Sequence, residues 1–528
     1  MKRYKHVLSV CVLTLLAIGM YVEGSVSITA QAQMKAPPPV LIEGSVSNSI
    51  AGSGGNGNEE TPGEWYRGET PDNLMENAPV LLFVPGLNNV AQIFWEDNNM
   101  YDTAYQAGYQ TAFVQLHDAG GESADMWNNG ELLASKIREI SLHFNGKPIT
   151  VVAYSKGGVD THAAITYYGA GPYMENVITL SSPHHGSELA DLAYSSGAGW
   201  LAALIGLQGE GTASMQTAYM ADFRMQTDAN AKAYQHNYFT LGGTGWGPVF
   251  SANWFGGVYL SSYGPNDGVV TTASSNLPGG QELLIGDWNH TSIRTGATFP
   301  VFQNYLSGEH LTAAQSKSPI SDQKNMPAPI TNRWVDGGPI VDKAEIELNV
   351  EKNVKSLTLQ FLTAEPLTDV ELVSPYGKVV NTKVKEVPMT EGIFKDAIGY
   401  ILEIPAPEAG AWTIAVQSNA EENAYLFVAD FESTPLIKAN KGYGVMQQVE
   451  LQADAKQINL DSLVVDYHMM ETQNPDNQKK WKATGRNALS HNLNLDKYKK
   501  GSIYTVTIII EGKTKEGHAF NRSVIYSY

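Results

Sequence analysis

Ser155 ends a short apolar run, Ile149-Thr150-Val151-Val152-Ala153-Tyr154, and is followed by Lys156-Gly157-Gly158 and then by helix-compatible sequence. A sharp strand-to-helix turn strains the backbone of the serine at its apex, so only small side chains fit two positions before and two after it. Ala153 and Gly157 meet that demand. The common form of this pattern is G-x-S-x-G, and here it reads A-x-S-x-G-G. A serine hydroxyl is a weak nucleophile at neutral pH; it needs a base within hydrogen-bond reach and a carboxylate to orient that base. Two downstream segments offer them. Asp267 stands in the turn Gly264-Pro265-Asn266-Asp267-Gly268-Val269-Val270, where glycine lets the chain bend and the carboxylate point inward. His290 follows the strand-and-turn sequence Glu282-Leu283-Leu284-Ile285-Gly286-Asp287-Trp288-Asn289. In a chain with 50 glycines the serine pattern alone recurs by chance, so its neighbourhood has to carry the argument.

That neighbourhood is a series of buried-strand sequences. Pro79 to Leu87 (PVLLFVPGL) is an apolar run closed by Pro-Gly, Thr111 to Leu116 (TAFVQL) is a second, and Val177 to Leu180 leads into Ser181-Ser182-Pro183-His184-His185-Gly186-Ser187. Enough chain separates Val80 from Ser155 for two helical crossovers with a strand between them, which predicts a parallel sheet.

With FVPGLNN, AYSKGGVD, LSSPHHGS and the acid and histidine loops, the stretch from about Pro79 to Gly308 resembles a secreted bacterial lipase or esterase of the α/β-hydrolase superfamily. The likeness is greatest to lipases with alanine in the first small position of the serine motif. The resemblance implies a mostly parallel sheet flanked by helices and the chain order Ser, then acid, then His, hence Ser155, Asp267 and His290 as catalytic residues. It also implies an oxyanion hole built from the backbone N–H groups of Leu87 and Lys156. Pro85 departs from the pattern, since many such lipases have histidine before the glycine; this touches the geometry of that loop more than the backbone donor. Asp287 and His310 compete in sequence. Asp287 lies only three residues from His290 on the same loop, whereas the family's acid follows the preceding strand, and His310 lies beyond the last expected helix. His184 and His185 are read as shaping the loop beside the site rather than taking part in chemistry.

At 528 residues the chain exceeds one ordinary core. Lys2, Arg3 and Lys5 precede the apolar run Val7 to Met20, and Ala30-Gln31-Ala32 offers a small-x-small cleavage site, so residues 1–32 are expected to be a signal peptide and the mature enzyme to be secreted. The run is shorter than a spanning helix requires, and no transmembrane anchor is expected in the mature protein. Cys11, the only cysteine, lies inside this segment, which leaves no disulfide in the remainder. A formal net charge of −19 argues against nucleic acid and anionic membrane surfaces as partners. The expected partner is a lipid or other ester substrate, with a lipid–water interface as one setting.

Residues 33–76 read as a glycine-rich arm, 77–312 as the catalytic α/β domain and 313–330 as a polar linker. The insertion Leu189 to Asp228 carries Leu192, Trp200, Leu201, Leu204 and Leu207; it is either a lid over the serine or a packed helical addition. Two all-β domains follow, of jelly-roll or immunoglobulin-like rhythm, at 331–432 and 433–528. Surface or polymer binding by these β domains and a stabilising role both stay open. No cofactor is required for the expected chemistry. Structural calcium cannot be assigned, because no group of Asp and His at ligand spacing stands out. Two alternatives remain: a polyester (polyhydroxyalkanoate-type) depolymerase or acyltransferase with the same triad, and a non-catalytic binding protein on a hydrolase scaffold.

Overall fold

The computed structural model describes residues 35–42, 60–308, 332–380, 384–390, 393–441, 448–492 and 501–528. The expected signal peptide, the linker at 313–330, residues 43–59 of the glycine-rich arm and His310 lie outside these residues.

An eight-stranded sheet in the order β1-β2-β4-β3-β5-β6-β7-β8 forms the first layer system. Its strands are β1 (Val40–Leu41), β2 (Trp65–Arg67), β3 (Val80–Val84), β4 (Thr111–Val114), β5 (Ile149–Tyr154), β6 (Met174–Leu180), β7 (Asn237–Gly243) and β8 (Gln281–Gly286). From β4 through β8 every pairing is parallel, and only β1 and β2 run antiparallel. The residues of β3, β4 and β5 are all buried, as near-continuous apolar strands covered on both faces must be. Helices α1 (Met100–Gln106), α2 (Met126–His143) and α3 (Lys156–Tyr167) supply crossovers. Asp125 caps α2 by accepting from the backbone N–H groups of Trp127 and Asn128.

The insertion folds into short helices, α4 (Glu188–Ala193), α5 (Gly199–Leu204), α6 (Glu210–Ser214) and α7 (Thr217–Asp228); α8 (Ala252–Leu260) precedes the acid loop. Strand β7, between insertion and acid loop, had no counterpart in the sequence reading. Nor did β1 and β2, through which the region before residue 77 joins the sheet.

The C-terminal region is all-β, as expected. Its strands are β9 (Arg333–Pro339), β10 (Lys343–Val350), β11 (Ser356–Thr363), β12 (Asp369–Val373), β13 (Lys385–Pro388), β14 (Ile398–Pro405), β15 (Gly410–Gln417), β16 (Ala424–Phe431), β17 (Ile437–Lys441), β18 (Gln448–Ala453), β19 (Ile458–Glu471), β20 (Asn474–Thr484), β21 (Ser490–Asn492), β22 (Tyr504–Thr514) and β23 (Ala519–Ser527). Sheets β10-β15-β12 and β13-β14-β11-β16-β9 enclose one core around Leu348, Leu359, Phe361, Trp412 and Phe427. Sheets β17-β18-β21 and β20-β19-β22-β23 enclose a second around Val465, Tyr467, Val506 and Ile508. All pairings in both are antiparallel.

Residues 36–528 make one compact unit. Leu189, Leu192, Leu201 and Leu207 of the insertion, with Phe255 and Tyr259 of α8, pack against Val335, Met389, Phe394, Leu426 and Ile525 of the β region. Polar contacts reinforce this apolar seam. Gln216 donates through Nε2 to Thr505 Oγ1 and accepts at Oε1 from Thr472 Oγ1, each at 2.8 Å. Ser527 Oγ accepts from the N–H of Ala218 at 2.9 Å and lies 2.9 Å from Thr217 Oγ1, while Thr507 Oγ1 accepts from the N–H of Ser196 at 3.1 Å. Arg333 of β9 donates to the carbonyls of Tyr259 and Val258 at the end of α8.

Candidate active site

The turn between β5 and α3 holds Ser155 at φ 54° and ψ −133°, a conformation that costs a non-glycine residue about 1–3 kcal/mol and persists only where the surroundings dictate it. The surroundings here are tight. A Cβ on Gly157 would come within 2.4 Å of the Pro85 carbonyl oxygen, and one on Gly86 within 2.6 Å of Ser155 Cβ. Glycine at these two positions lets the loop after β3 close directly onto the serine.

Asp267 is wholly buried, and its Oδ1 accepts from the backbone N–H groups of Val269 and Val270 at 2.9 and 2.8 Å. Its other oxygen, Oδ2, lies 2.7 Å from His290 Nδ1. The carboxylate can only accept, so Nδ1 carries the proton, and Nε2 is left to accept from Ser155 Oγ at 3.1 Å. A backbone bond from the His290 N–H to the Asp267 carbonyl, 2.9 Å, ties the two loops together. Ser155 and His290 are 8% and 5% exposed, which leaves the serine hydroxyl and the imidazole almost sealed from water.

The structure therefore brings together the three side chains that the sequence singled out. It leaves out their competitor Asp287, which is exposed. His184 is buried with Nε2 3.2 Å from Thr179 Oγ1, and burial, aided by the nearby Arg224 and His185 charges, holds its pKa well below the ordinary histidine value. His185 is half-buried and fastens its loop through its backbone N–H to Ser274 Oγ at 3.3 Å.

Leu87 and Lys156 flank the serine, one on the loop after β3 and the other at the first position of α3. Leu87 lies under the insertion: a Cβ on Gly211 of α6 would come within 2.6 Å of Leu87 Cδ1. The Lys156 side chain is fully buried, with Nζ 2.8 and 3.0 Å from the two oxygens of Asp160.

Two further residues border the imidazole. Tyr154, the residue before the serine, lies with its ring 4.9 Å from that of His290, and the Arg294 guanidinium sits over the Tyr154 ring, 5.1 Å from its centroid, while donating to its hydroxyl at 3.2 Å. Sequence reasoning missed both. Tyr154 was in view as the variable position of the serine motif, whereas nothing local to Arg294 marks it. Among the described residues no group of three or more His, Cys, Asp or Glu is arranged to hold a metal ion, and no helix is long and apolar enough to cross a membrane.

The chain is similar to the lipase BlEst2 of Bacillus licheniformis in its propeptide form, at 32% identity over 89% of this chain and 97% of that one, with a TM-score of 0.73. It belongs to the BlEst2 lipase family. The mature form of BlEst2 matches 47% of the chain at 43% identity, covering all of that shorter structure, with a TM-score of 0.45. A metagenomic carboxyl esterase, MGS0156, is 20% identical over 45% of this chain and 77% of its own, with a TM-score of 0.36. No protein-family model and no curated relative matches. Like its BlEst2 relative, this family member is an α/β core of lipase type joined to several antiparallel β-sheets.

Proposed function

We propose that the chain is a secreted carboxylic-ester hydrolase of lipase or esterase type that works through an acyl-enzyme on Ser155. The observation that carries this reading is the buried hydrogen-bonded line from Asp267 through His290 to Ser155, at 2.7 and 3.1 Å. Ser155 Oγ attacks the ester carbonyl while His290 Nε2 takes its proton. Asp267 holds the imidazole in the tautomer that leaves Nε2 free and stabilises the cation that forms. The N–H groups of Leu87 and Lys156 stabilise the oxyanion, each worth on the order of 3 kcal/mol of barrier. His290 returns the proton to the leaving alcohol. It then activates the water that releases the acid. No cofactor enters this sequence.

The expected leader before Ala32 supports export. The nearly closed serine and the apolar insertion above Leu87 favour an acyl ester met at an interface over a freely diffusing polar ester. The relative matched over most of this chain is a propeptide form. We extend that word to this chain: the β region acts as a removable segment that keeps the insertion down through Gln216, Thr217 and Ala218. The test of the core reading is Ser155→Ala assayed on a series of p-nitrophenyl esters of increasing acyl length. Loss of turnover by about 10^4-fold or more with an unchanged circular-dichroism spectrum is expected. Turnover within tenfold of the wild type refutes it. Running the same series on triglyceride emulsions and polyester films separates lipase from depolymerase.

A further inference from the structure

Behind the serine turn lies a buried polar cluster for which the triad has no use. Asp118, in the turn after β4, Asn129 of α2, and Lys156 and Asp160 of α3 are each at most 1% exposed. Asn129 Nδ2 donates to Asp118 Oδ2 at 2.6 Å and to Asp160 Oδ2 at 3.1 Å, and Lys156 Nζ binds Asp160 and lies 3.9 Å from Asp118 Oδ2. The remaining oxygen of Asp118 accepts from the backbone N–H of Asn88 at 3.0 Å, and Asn129 Oδ1 accepts from the N–H of His117 at 3.1 Å. Asn88 follows Leu87 directly and stands at φ 55°, a left-handed conformation that asparagine tolerates but does not seek.

We propose that Asp118 and Asn129 are positioning residues for the oxyanion hole, forming a buckle that fixes the Leu87 peptide relative to the Lys156 peptide. This inference rests on the ester-hydrolase reading above. The two donors come from segments far apart in sequence, and each is one bond away from the cluster: Asn88 adjoins Leu87, and Lys156 carries its own side chain into it. Two carboxylates around one ammonium, out of water, are a poor way to gain stability, because desolvation consumes most of the attraction and an apolar packing of like volume does as well or better. What such an arrangement supplies is a fixed geometry. Burial, opposed by the Lys156 charge and aided by that of Asp118, pushes the Asp160 pKa up, the expected cost of holding these groups out of water for the sake of their geometry.

A misplaced oxyanion donor weakens the transition state without weakening ground-state binding. Asp118→Ala should therefore lower kcat by about ten- to a hundredfold with KM within twofold of wild type, and weaken a trifluoromethyl-ketone transition-state analogue in proportion to the fall in kcat/KM. Asp118→Asn, which keeps an oxygen for the Asn88 N–H, should recover most of the loss. If Asp118→Ala does not fold, Asn129→Ala, which leaves every charge in place, is read in the same way. A folded variant with unchanged kcat, or with loss confined to KM, overturns the buckle. The underlying reading fails separately, if Ser155→Ala remains active.

Discussion

The turn around Ser155 and the seam between the insertion and the β region are both buried, yet they are built differently. Around the serine the packing is polar and exacting: backbone donors hold Asp267, carboxylates hold Asn88 and Lys156, and bare glycines let main chain meet main chain. Along the seam the packing is apolar, with leucines and aromatics sealed by a few hydroxyl and amide contacts from Thr472, Thr505, Thr507 and Ser527. Apolar packing is non-directional and can be separated or shifted at a cost spread over many contacts. A hydrogen-bonded constellation cannot shift without leaving buried polar groups unpaired. The first region suits chemistry, the second a hold that can be released.

The comparison should break hardest at the serine, where Ser155→Ala is expected to abolish the proposed ester turnover, read with the p-nitrophenyl ester series. Next comes His290→Ala, expected to fall about as far in kcat, because nucleophile and base act as a unit, so that the double variant is scarcely worse than either single one. The Asp118→Ala loss is smaller, as argued above. At the seam the expected change has the opposite sign. Limited proteolysis that cuts between residues 308 and 332 should raise turnover on long-chain esters severalfold, followed by a chromogenic assay alongside gel analysis; unchanged or lower activity after complete cleavage removes the β region from control of the insertion.

Acidity sharpens the contrast further. Asp160 has an ordinary value of 3.8 and is pushed up to about 7 by burial, so the folded protein keeps a proton that the unfolded chain has released. Its contribution to stability is complete below 3.8 and is lost as pH rises through about 7. Asp160→Asn cannot ionise, and its Tm relative to wild type should climb between those two pH values, as read by differential scanning fluorimetry across pH. The smallest effect belongs to the surface: Lys352 and Glu516, each 60% exposed and 3.2 Å apart, form a pair whose loss in Glu516→Gln should move Tm by no more than about 1 °C.

Periodicity and punctuation made most of this fold readable. Strands β3 and β5 are visible as apolar runs meeting Pro-Gly or Ser-Lys-Gly, and the two all-β domains by the rhythm of their sequence after residue 330. Strand β20 is hard to read because Asn474 to Lys480 is polar and exposed throughout, and only Trp481 and Ala483 near its end turn one face toward the core. Strand β7 (NYFTLGG) ends in two glycines that read as loop, although those residues are buried where the acid and histidine loops cross. At the site, Ser155, Asp267 and His290 announced themselves because each sits in a turn with its own local chemistry. Lys156 and Asp160 form a helical i, i+4 pair that could have been noticed. Asp118 and Asn129 gave no sign, since what gathers them is the crossing of β4, α2 and α3 and not any spacing along the chain.

The positive φ at residue 155 has one more consequence. Glycine adopts that conformation freely, so Ser155→Gly should melt later than the natural chain while hydrolysing nothing. A breeding programme that selected this molecule for heat resistance alone would drift toward sterile scaffolds, and the more successful it became, the less there would be left to use.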